Sequence, residues 1–258
     1  MRSVLFDHIA IAVPRLADAE AILAGQLGGR PAYGMTRNEF RFHHWRYEGG
    51  GDLEVLEPAG TDGFLHRFIA QRGPGIHHVT FTVPSLVDAC DRARALGYAI
   101  VGYDDSDPEW KEAFLHPRQA QGIVVQFAEP SADSPSPPPR HEGRGRPSGS
   151  REPVPPITVL GLRLSARSRE RAQTQWGAVV QGARADGNDG ALVYRWPGSF
   201  MYLVVEIDPA RDEGPLWIEY SCRRAVPLSD DPHPVLGAVF KRRPGDSRRG
   251  APRSAVRL

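Results

Sequence analysis

The stretch Gly73–Pro84, with the sequence GPGIHHVTFTVP, decides the fold. A Gly-Pro-Gly turn leads into residues of alternating character, the pattern of a β-strand with one buried face. One face is large and apolar and consists of Val79, Phe81 and Val83. The other face carries a histidine and consists of His78, Thr80 and Thr82. We therefore predict a strand whose second face borders an open space.

The same pattern occurs near the N-terminus, where residues 7–14 have the sequence DHIAIAVP and place His8 at the equivalent point of a strand. The motif V-P-x-L-x-D-A follows in both places, at residues 13–19 and again at 83–89. The spacing of 70 residues between His8 and His78 indicates an internal repeat.

The ends of the two repeated units are also alike. Residues 53–58 have the sequence LEVLEP, and residues 124–130 have the sequence VVQFAEP. This match places Glu54 opposite Gln126, each on the last strand of its unit and on the face that points away from the apolar neighbours.

The predicted fold class is α+β, built from βαβββ modules. Each module has one strand, one helix and three further strands, and a third βαβββ-like module follows a segment rich in Ser, Pro, Gly and Arg. In that third module Gly161 takes the place of the histidine, LWIEYSC is the last strand, and Glu219 corresponds to Glu54. The predicted divisions are a domain at 1–130 with modules at 1–60 and 73–130, a disordered linker at 131–156, the third module at 157–240 and a disordered basic tail at 241–258.

The bulk composition excludes several classes of function. A net charge of +1 over 258 residues gives no case for nucleic-acid binding. Two cysteines in unrelated contexts predict neither a disulfide framework nor a cysteine metal cluster, and favour a reducing, cytoplasmic location. No apolar run approaches the roughly 18 to 20 residues that a membrane span needs. The expected partner is a small-molecule substrate.

The repeat itself predicts a site. If the two modules pack with pseudo-twofold symmetry, the imidazoles of His8 and His78, the carboxylate of Glu54 and the amide of Gln126 meet in one concavity. Imidazole and carboxylate together suit a divalent ion of Zn, Fe, Co, Ni or Mn. Such an ion would bind neighbouring substrate oxygens and stabilise an enolate or alkoxide.

The sequence resembles the vicinal oxygen chelate superfamily, which has the glyoxalase and bleomycin-resistance fold. Residues 5–130 are most similar to methylmalonyl-CoA epimerases, through DHIAIAV, LEVLEP, GPGIHH, FLHP and GIVVQF. The resemblance implies that His8, Glu54 and His78 are metal ligands. The family's fourth ligand is a glutamate, and Gln126 holds that position in this chain.

Gln126 changes the expected chemistry, because an amide can ligate through its oxygen but cannot act as a general base. We expect it to take part in catalysis as a ligand. The other family base lies on the second strand of the first module, where this chain offers His43, His44 or Glu48, and His44 is our candidate catalytic residue. His77 is expected either on the opposite face from His78 or at the edge of the strand, in a structural role.

The leading functional hypothesis is a metal-dependent enzyme for a small carbonyl or acyl-CoA substrate, similar to methylmalonyl-CoA epimerase or a glyoxalase-type lyase. Two alternatives remain open: an Fe(II)-dependent dioxygenase of the same superfamily, and a non-enzymatic protein that binds a small molecule. The third module has a sheet face to cover. It either pairs with its copy in a homodimer or caps the first domain.

Overall fold

The computed structural model describes residues 3–131, 154–186 and 190–243. Its first half is one mixed sheet with the strand order β2-β3-β4-β1-β5-β8-β7-β6. The strands are β1 (Leu5–Ala12), β2 (Arg30–Thr36), β3 (Phe40–Arg46), β4 (Asp52–Pro58), β5 (Gly75–Thr82), β6 (Ile100–Asp104), β7 (Trp110–Leu115) and β8 (Val124–Pro130).

Two βαβββ modules meet at the centre of this sheet. The first strands of the modules, β1 and β5, pair antiparallel, and each pairs in parallel with the last strand of its own module, β4 or β8. The sequence repeat therefore corresponds to a structural repeat, as predicted. Of the eight strands of this sheet, β2 alone was not predicted, because its residues lack alternation: Pro31, Gly34 and Met35 are all exposed.

Helices cover one face of the sheet, and the repeated Glu-Pro ends of the modules hold them. The chain forms α1 (Leu16–Leu23) after β1 and α3 (Leu86–Ala95) after β5. The first amide of α1 donates to Glu57 Oε2 and that of α3 donates to Glu129 Oε2, both at 2.6 Å. A carboxylate at a helix N-terminus satisfies a free N–H group and complements the helix dipole. These glutamates thus have a structural role.

The other face of the sheet is concave and carries one helix, α2 (Phe64–Arg72). Leu65 of α2 is buried in a small cluster with Ala10, Ala12 and Leu56 of the sheet. The alternation predicted for β1 and β5 separates the two faces as expected, since Ile9, Ile11, Val79 and Phe81 belong to the main core on the helical side.

The second half of the chain forms a six-stranded sheet with the order β10-β11-β12-β9-β13-β14. Helix α4 (Arg169–Ala172) follows its first strand and continues as a π-helix over Gln173–Val179. The strands are β9 (Thr158–Ala166), β10 (Ala183–Asp186), β11 (Leu192–Arg195), β12 (Tyr202–Ile207), β13 (Gly214–Ser221) and β14 (Phe240–Arg242).

The prediction that LWIEYSC ends the third module is wrong. The module ends at β12, which pairs in parallel with β9 as β4 does with β1. Strand β13, which contains LWIEY, pairs antiparallel with β9 and so takes the place of β5, while β14 takes the place of β8. The second sheet thus resembles the first, with its fourth module reduced to two strands. The short strand β10 has no alternation of apolar and polar residues from which this strand order could have been predicted.

The two sheets pack through the faces that carry the helices. Phe81 of β5 lies 4.7 Å from the ring of Trp196 and 6.3 Å from that of Trp176, between ring centroids, and Phe6 stacks on Phe81. All belong to the main core. The third module therefore caps the first domain, one of the two predicted alternatives, and the homodimer stays a prediction.

The predicted linker and tail lie mostly outside the described residues, at 132–153 and 244–258. Strand β14 reaches Arg242, so the second sheet extends past the predicted boundary at 240. Within the described part of the chain, no helix combines the length and the apolar character that crossing a membrane requires.

Candidate metal centre

Four polar side chains meet where the two modules join. Ala10, at the centre of the concave face, pairs with Glu54 on one side and with His78 on the other. Two residues before Ala10 on β1, His8 pairs with Thr80 of β5, and Thr80 pairs in turn with Gln126 of β8. The four predicted site residues therefore surround a buried alanine whose methyl group leaves room above it.

The geometry of His8, Glu54 and His78 fits a metal ion. All three side chains are buried, and one ligand atom from each lies within 4.8 Å of the others. Glu54 Oε2 is 2.7 Å from His8 Nε2 and 3.6 Å from His78 Nε2. Among the described residues His78 Nε2 has no hydrogen-bond partner, and a buried polar atom without a partner is costly. An ion held by all three would give this nitrogen its partner.

In each of the two histidines, the Nδ1 atom lies close to a side-chain atom of the residue that precedes it. The pairing of β1 with β5 shifts register between Phe6 and His8, so Asp7 is an inserted, bulged residue. Its Oδ1 lies 2.6 Å from His8 Nδ1. A carboxylate on the outer nitrogen of a ligating imidazole fixes the ring and raises its basicity. The sequence pattern gave no signal for Asp7, since strict alternation places it on the opposite face.

A second bulge corrects the prediction for His77. Ile11 pairs with Ile76 and Ala10 with His78, which leaves His77 unpaired in the register. Its Nδ1 lies 2.9 Å from His78 Nδ1, and its ring contacts Phe68 of α2. Burial, followed by the electrostatic effect of His78, lowers the pKa of His77 to about 3. His77 is therefore a neutral neighbour that orients His78.

The structure separates the three alternatives for a base on β3. His44 pairs with Glu54 and points into the site, with its Nε2 3.7 Å from Glu54 Oε2 and its ring stacked on Tyr33 at 4.3 Å. His43 is exposed, and Glu48 lies beyond the strand, 3.4 Å from Arg30. Burial, together with the positive charge of His8, lowers the pKa of His44 to about 3, which keeps this imidazole neutral.

Gln126 is buried and hydrogen-bonded at both ends of its amide. Thr80 Oγ1 donates to Gln126 Oε1 at 2.6 Å and lies 2.9 Å from His8 Nε2. At the other end, Gln126 Nε2 donates to Glu112 Oε2 at 2.7 Å. Glu112 is a second residue that the sequence predictions missed. The available signal was alternation along β7, which places Trp110, Glu112 and Phe114 on one face.

The electrostatics of the site centre on His8. Burial opposes its charge, but hydrogen bonds to Asp7 and Glu54 and their negative charges outweigh burial and raise the pKa of His8 to about 10. Burial also opposes ionisation of Glu54, but the neighbouring imidazoles of His78 and His8 hold the pKa of that carboxyl well below its usual range. Without a metal, His8 is thus an imidazolium paired with carboxylates.

Metal binding should therefore release about one proton per ion at neutral pH, because the His8 Nε2 that faces the site must lose its proton to ligate. A raised pKa means that the proton stays bound until the pH nears 10. Metal affinity should then rise by about tenfold per pH unit between about pH 7 and pH 9. Calorimetry in buffers of different ionisation enthalpy measures the proton, and an affinity that is flat over this range would contradict the prediction.

The equivalent positions in the second sheet carry no such set. Gly161 replaces His8 and Val204 replaces Glu54, while Trp217 and Lys241 stand at the places of His78 and Gln126. The predicted match of Glu219 with Glu54 is wrong, since Glu219 lies on the strand equivalent to β5. A Cβ on Gly161 would collide with the carbonyl oxygen of Tyr202, so a histidine cannot fit there.

An ion-paired arginine occupies the centre of this second concave face. Arg163, at the position of Ala10, donates to Glu219 Oε1 at 2.9 Å and to Glu206 Oε1 at 3.0 Å. The hydroxyl of Tyr202 also donates to Glu219, at 2.6 Å. A fixed guanidinium thus neutralises the carboxylates of the second sheet.

Comparison with known proteins agrees with this fold. The family model of the Glyoxalase/Bleomycin resistance protein/Dioxygenase superfamily matches residues 7–114. Uncharacterized protein YqjC of Bacillus subtilis is 31% identical over 133 residues, which cover 49% of this chain and 93% of the relative. The chain belongs to this superfamily.

A second relative has a named activity. The ethylmalonyl-CoA/methylmalonyl-CoA epimerase of Cereibacter sphaeroides is 27% identical over 137 residues, which cover 48% of this chain and 96% of the relative. Among solved structures, a mutant of 4-hydroxymandelate synthase from Streptomyces coelicolor aligns with a TM-score of 0.60 and 14% identity, over 86% of this chain and 72% of that one. This last likeness shows the fold alone.

Proposed function

We propose that this chain is a divalent-metal-dependent enzyme that acts on a small carbonyl or acyl-CoA substrate through an enolate, in the manner of an epimerase or a glyoxalase-type lyase. The observation that carries the proposal is the convergence of His8, Glu54 and His78 on one point of a concave, aromatic-walled face. The epimerase of Cereibacter sphaeroides supports the substrate class.

The site residues have different roles in the proposed reaction. His8, Glu54 and His78 would hold the ion, and Gln126 would present its amide oxygen beside them. A bound divalent ion supplies Lewis-acid stabilisation of negative charge on substrate oxygens. The imidazole of His44 would accept the proton from the carbon next to the substrate carbonyl. It would do so in the metal-loaded site, where His8 no longer carries the positive charge that lowers the pKa of His44. Gln126 cannot accept a proton, so we assign the proton transfer to His44.

The groove above the site limits what binds there. It is part of a larger cavity of about 2410 Å³ that is open to solvent and extends to Arg167 and Asp212 of the second half of the chain. Phe40, Phe42 and Phe64 form one wall, with ring centroids 5.6 to 6.1 Å apart. The space suits a long substrate such as a thioester whose carrier lies in the groove.

Solvent deuterium exchange tests the proposed reaction. With Co²⁺ added, the protein should catalyse exchange at the α-carbon of methylmalonyl-CoA in D₂O, measured by mass spectrometry. His44→Ala should slow this exchange by about 10²- to 10⁴-fold, the usual contribution of a general base, while the exposed His43→Ala should not. Metal-loaded wild-type protein that exchanges neither this thioester nor α-hydroxyketones would contradict the proposal.

The same ligand set supports a second candidate, an Fe(II)-dependent dioxygenase. Two histidines and one carboxylate with open positions are the ligands of non-haem Fe(II) oxygenases, and His8, His78 and Glu54 supply them. Oxygen consumption by the Fe²⁺-loaded protein, with no exchange in the Co²⁺-loaded protein, would favour this candidate.

A further inference from the structure

The amide of Gln126 is bound at its nitrogen end by a carboxylate from the neighbouring strand. Gln126 Nε2 donates to Glu112 Oε2 at 2.7 Å, and Trp110 Nε1 donates to the same oxygen at 3.1 Å. Glu112 is half-buried on the concave face. Among the described residues no Lys or Arg forms a salt bridge with it, unlike Glu129, which pairs with Lys111 at 3.0 Å.

This contact sets the direction of the amide. An ionised carboxylate only accepts hydrogen bonds, whereas the two ends of a glutamine amide differ, one accepting and one donating. If the amide of Gln126 rotated by half a turn, its oxygen would face the acceptor oxygen of Glu112. The hydroxyl of Thr80 gives no such constraint, because a hydroxyl can donate or accept. Glu112 is therefore the group that keeps Gln126 Oε1 on the side of Thr80 and His8.

We propose that Glu112 is a positioning residue that aims the oxygen of Gln126 at the metal ligands and strengthens it as a ligand. This inference rests on the proposed metal function. A negative charge on the amide N–H shifts electron density toward the amide oxygen, as Asp7 does for the imidazole of His8. In this chain the carboxylate of the second module is thus that of Glu112 on β7, one strand farther from the site than β8. The amide of Gln126 on β8 lies between this carboxylate and the site.

A transposition of the two side chains tests the inference. In Glu112→Gln the amide of residue 126 loses its charged partner and its fixed direction, so Co²⁺ affinity should fall by about 10- to 100-fold, the usual effect of losing an outer partner of a ligand. In the double variant Glu112→Gln/Gln126→Glu, the same hydrogen bond forms with donor and acceptor exchanged. A carboxylate then faces the ion, and affinity should return at least to the wild-type value.

Co²⁺ affinity is measured by competition with a chelator, and Glu109→Gln, an exposed change just before β7, is the matched control. Equal affinity of wild type and Glu112→Gln would overturn the inference and leave the proposed function intact. A double variant that binds Co²⁺ as weakly as Glu112→Gln would also overturn it. The exchange keeps the hydrogen bond between residues 112 and 126 and turns a carboxylate toward the ion, so the inference requires the affinity to return. Failure of the wild type to bind Co²⁺ would overturn the proposed function together with the inference.

Discussion

Purified His78→Ala protein should contain no stoichiometric divalent metal, and its metal affinity should fall by at least about 100-fold, the upper range found for loss of an outer partner of a ligand. His78 supplies one of the three converging ligand atoms. Since His78 Nε2 has no hydrogen-bond partner among the described residues, its removal should cost the metal-free protein less of its free energy of unfolding than removal of His8 does. The metal is measured by elemental analysis after dialysis.

His8→Ala should also abolish metal binding, but with a different effect on stability. Here the substitution leaves Asp7 and Glu54 without the imidazolium that they pair with at 2.6 and 2.7 Å. The metal-free variant should therefore unfold at lower denaturant than His78→Ala does. His43→Ala is the matched control because it removes an exposed imidazole from another strand of the same sheet. Full metal content in either site variant would contradict the assignment of ligands.

Glu219→Ala should lower the free energy of unfolding by about 1–3 kcal/mol, the usual cost of leaving buried polar groups without their hydrogen-bond acceptor. The Glu219 side chain is 6% exposed and accepts from Arg163, whose side chain is 13% exposed. Its removal also leaves the hydroxyl of Tyr202 without its acceptor. Urea unfolding followed by circular dichroism measures the change.

A surface pair provides the control for Glu219. Asp212 forms an ion pair with Arg167 at 2.6 Å, but the Asp212 side chain is 98% exposed. Exposed pairs contribute about 0–1 kcal/mol, so Asp212→Ala should leave the unfolding curve nearly unchanged. We also expect the folded fraction of Glu219→Ala to bind metal with the wild-type stoichiometry. A loss below about 1 kcal/mol in Glu219→Ala would show that the Arg163 cluster is not a buried ionic core.

Much of the site could be predicted because alternation and repetition act together. A strand sends successive side chains to opposite faces, so the apolar Ile9 and Val79 fix the direction of His8 and His78. The repeat then relates the two strands and brings Glu54 and Gln126 to the same centre. Those four positions needed no knowledge of the tertiary structure beyond the pairing of two equal modules.

The bulged residues could not be predicted in the same way. Asp7 and His77 lie beside His8 and His78 because β1 and β5 slip by one residue in two places. Such a slip depends on how the two strands pair across 70 residues of sequence, and alternation within one strand carries no trace of it. Glu112 was missed for a related reason, since its role depends on the neighbouring strand β8.

The sequence by itself determined the module repeat, the buried faces of its central strands and the four polar positions at their junction, because each depends on local periodicity. Only the tertiary structure decided which residues stand behind those four and how the second half is built. Strand order depends on pairing between distant segments, and β13 could take the place of β5 only when it reached the free edge of β9. The same long-range pairing placed Arg163, rather than a metal ligand, at the centre of the second sheet.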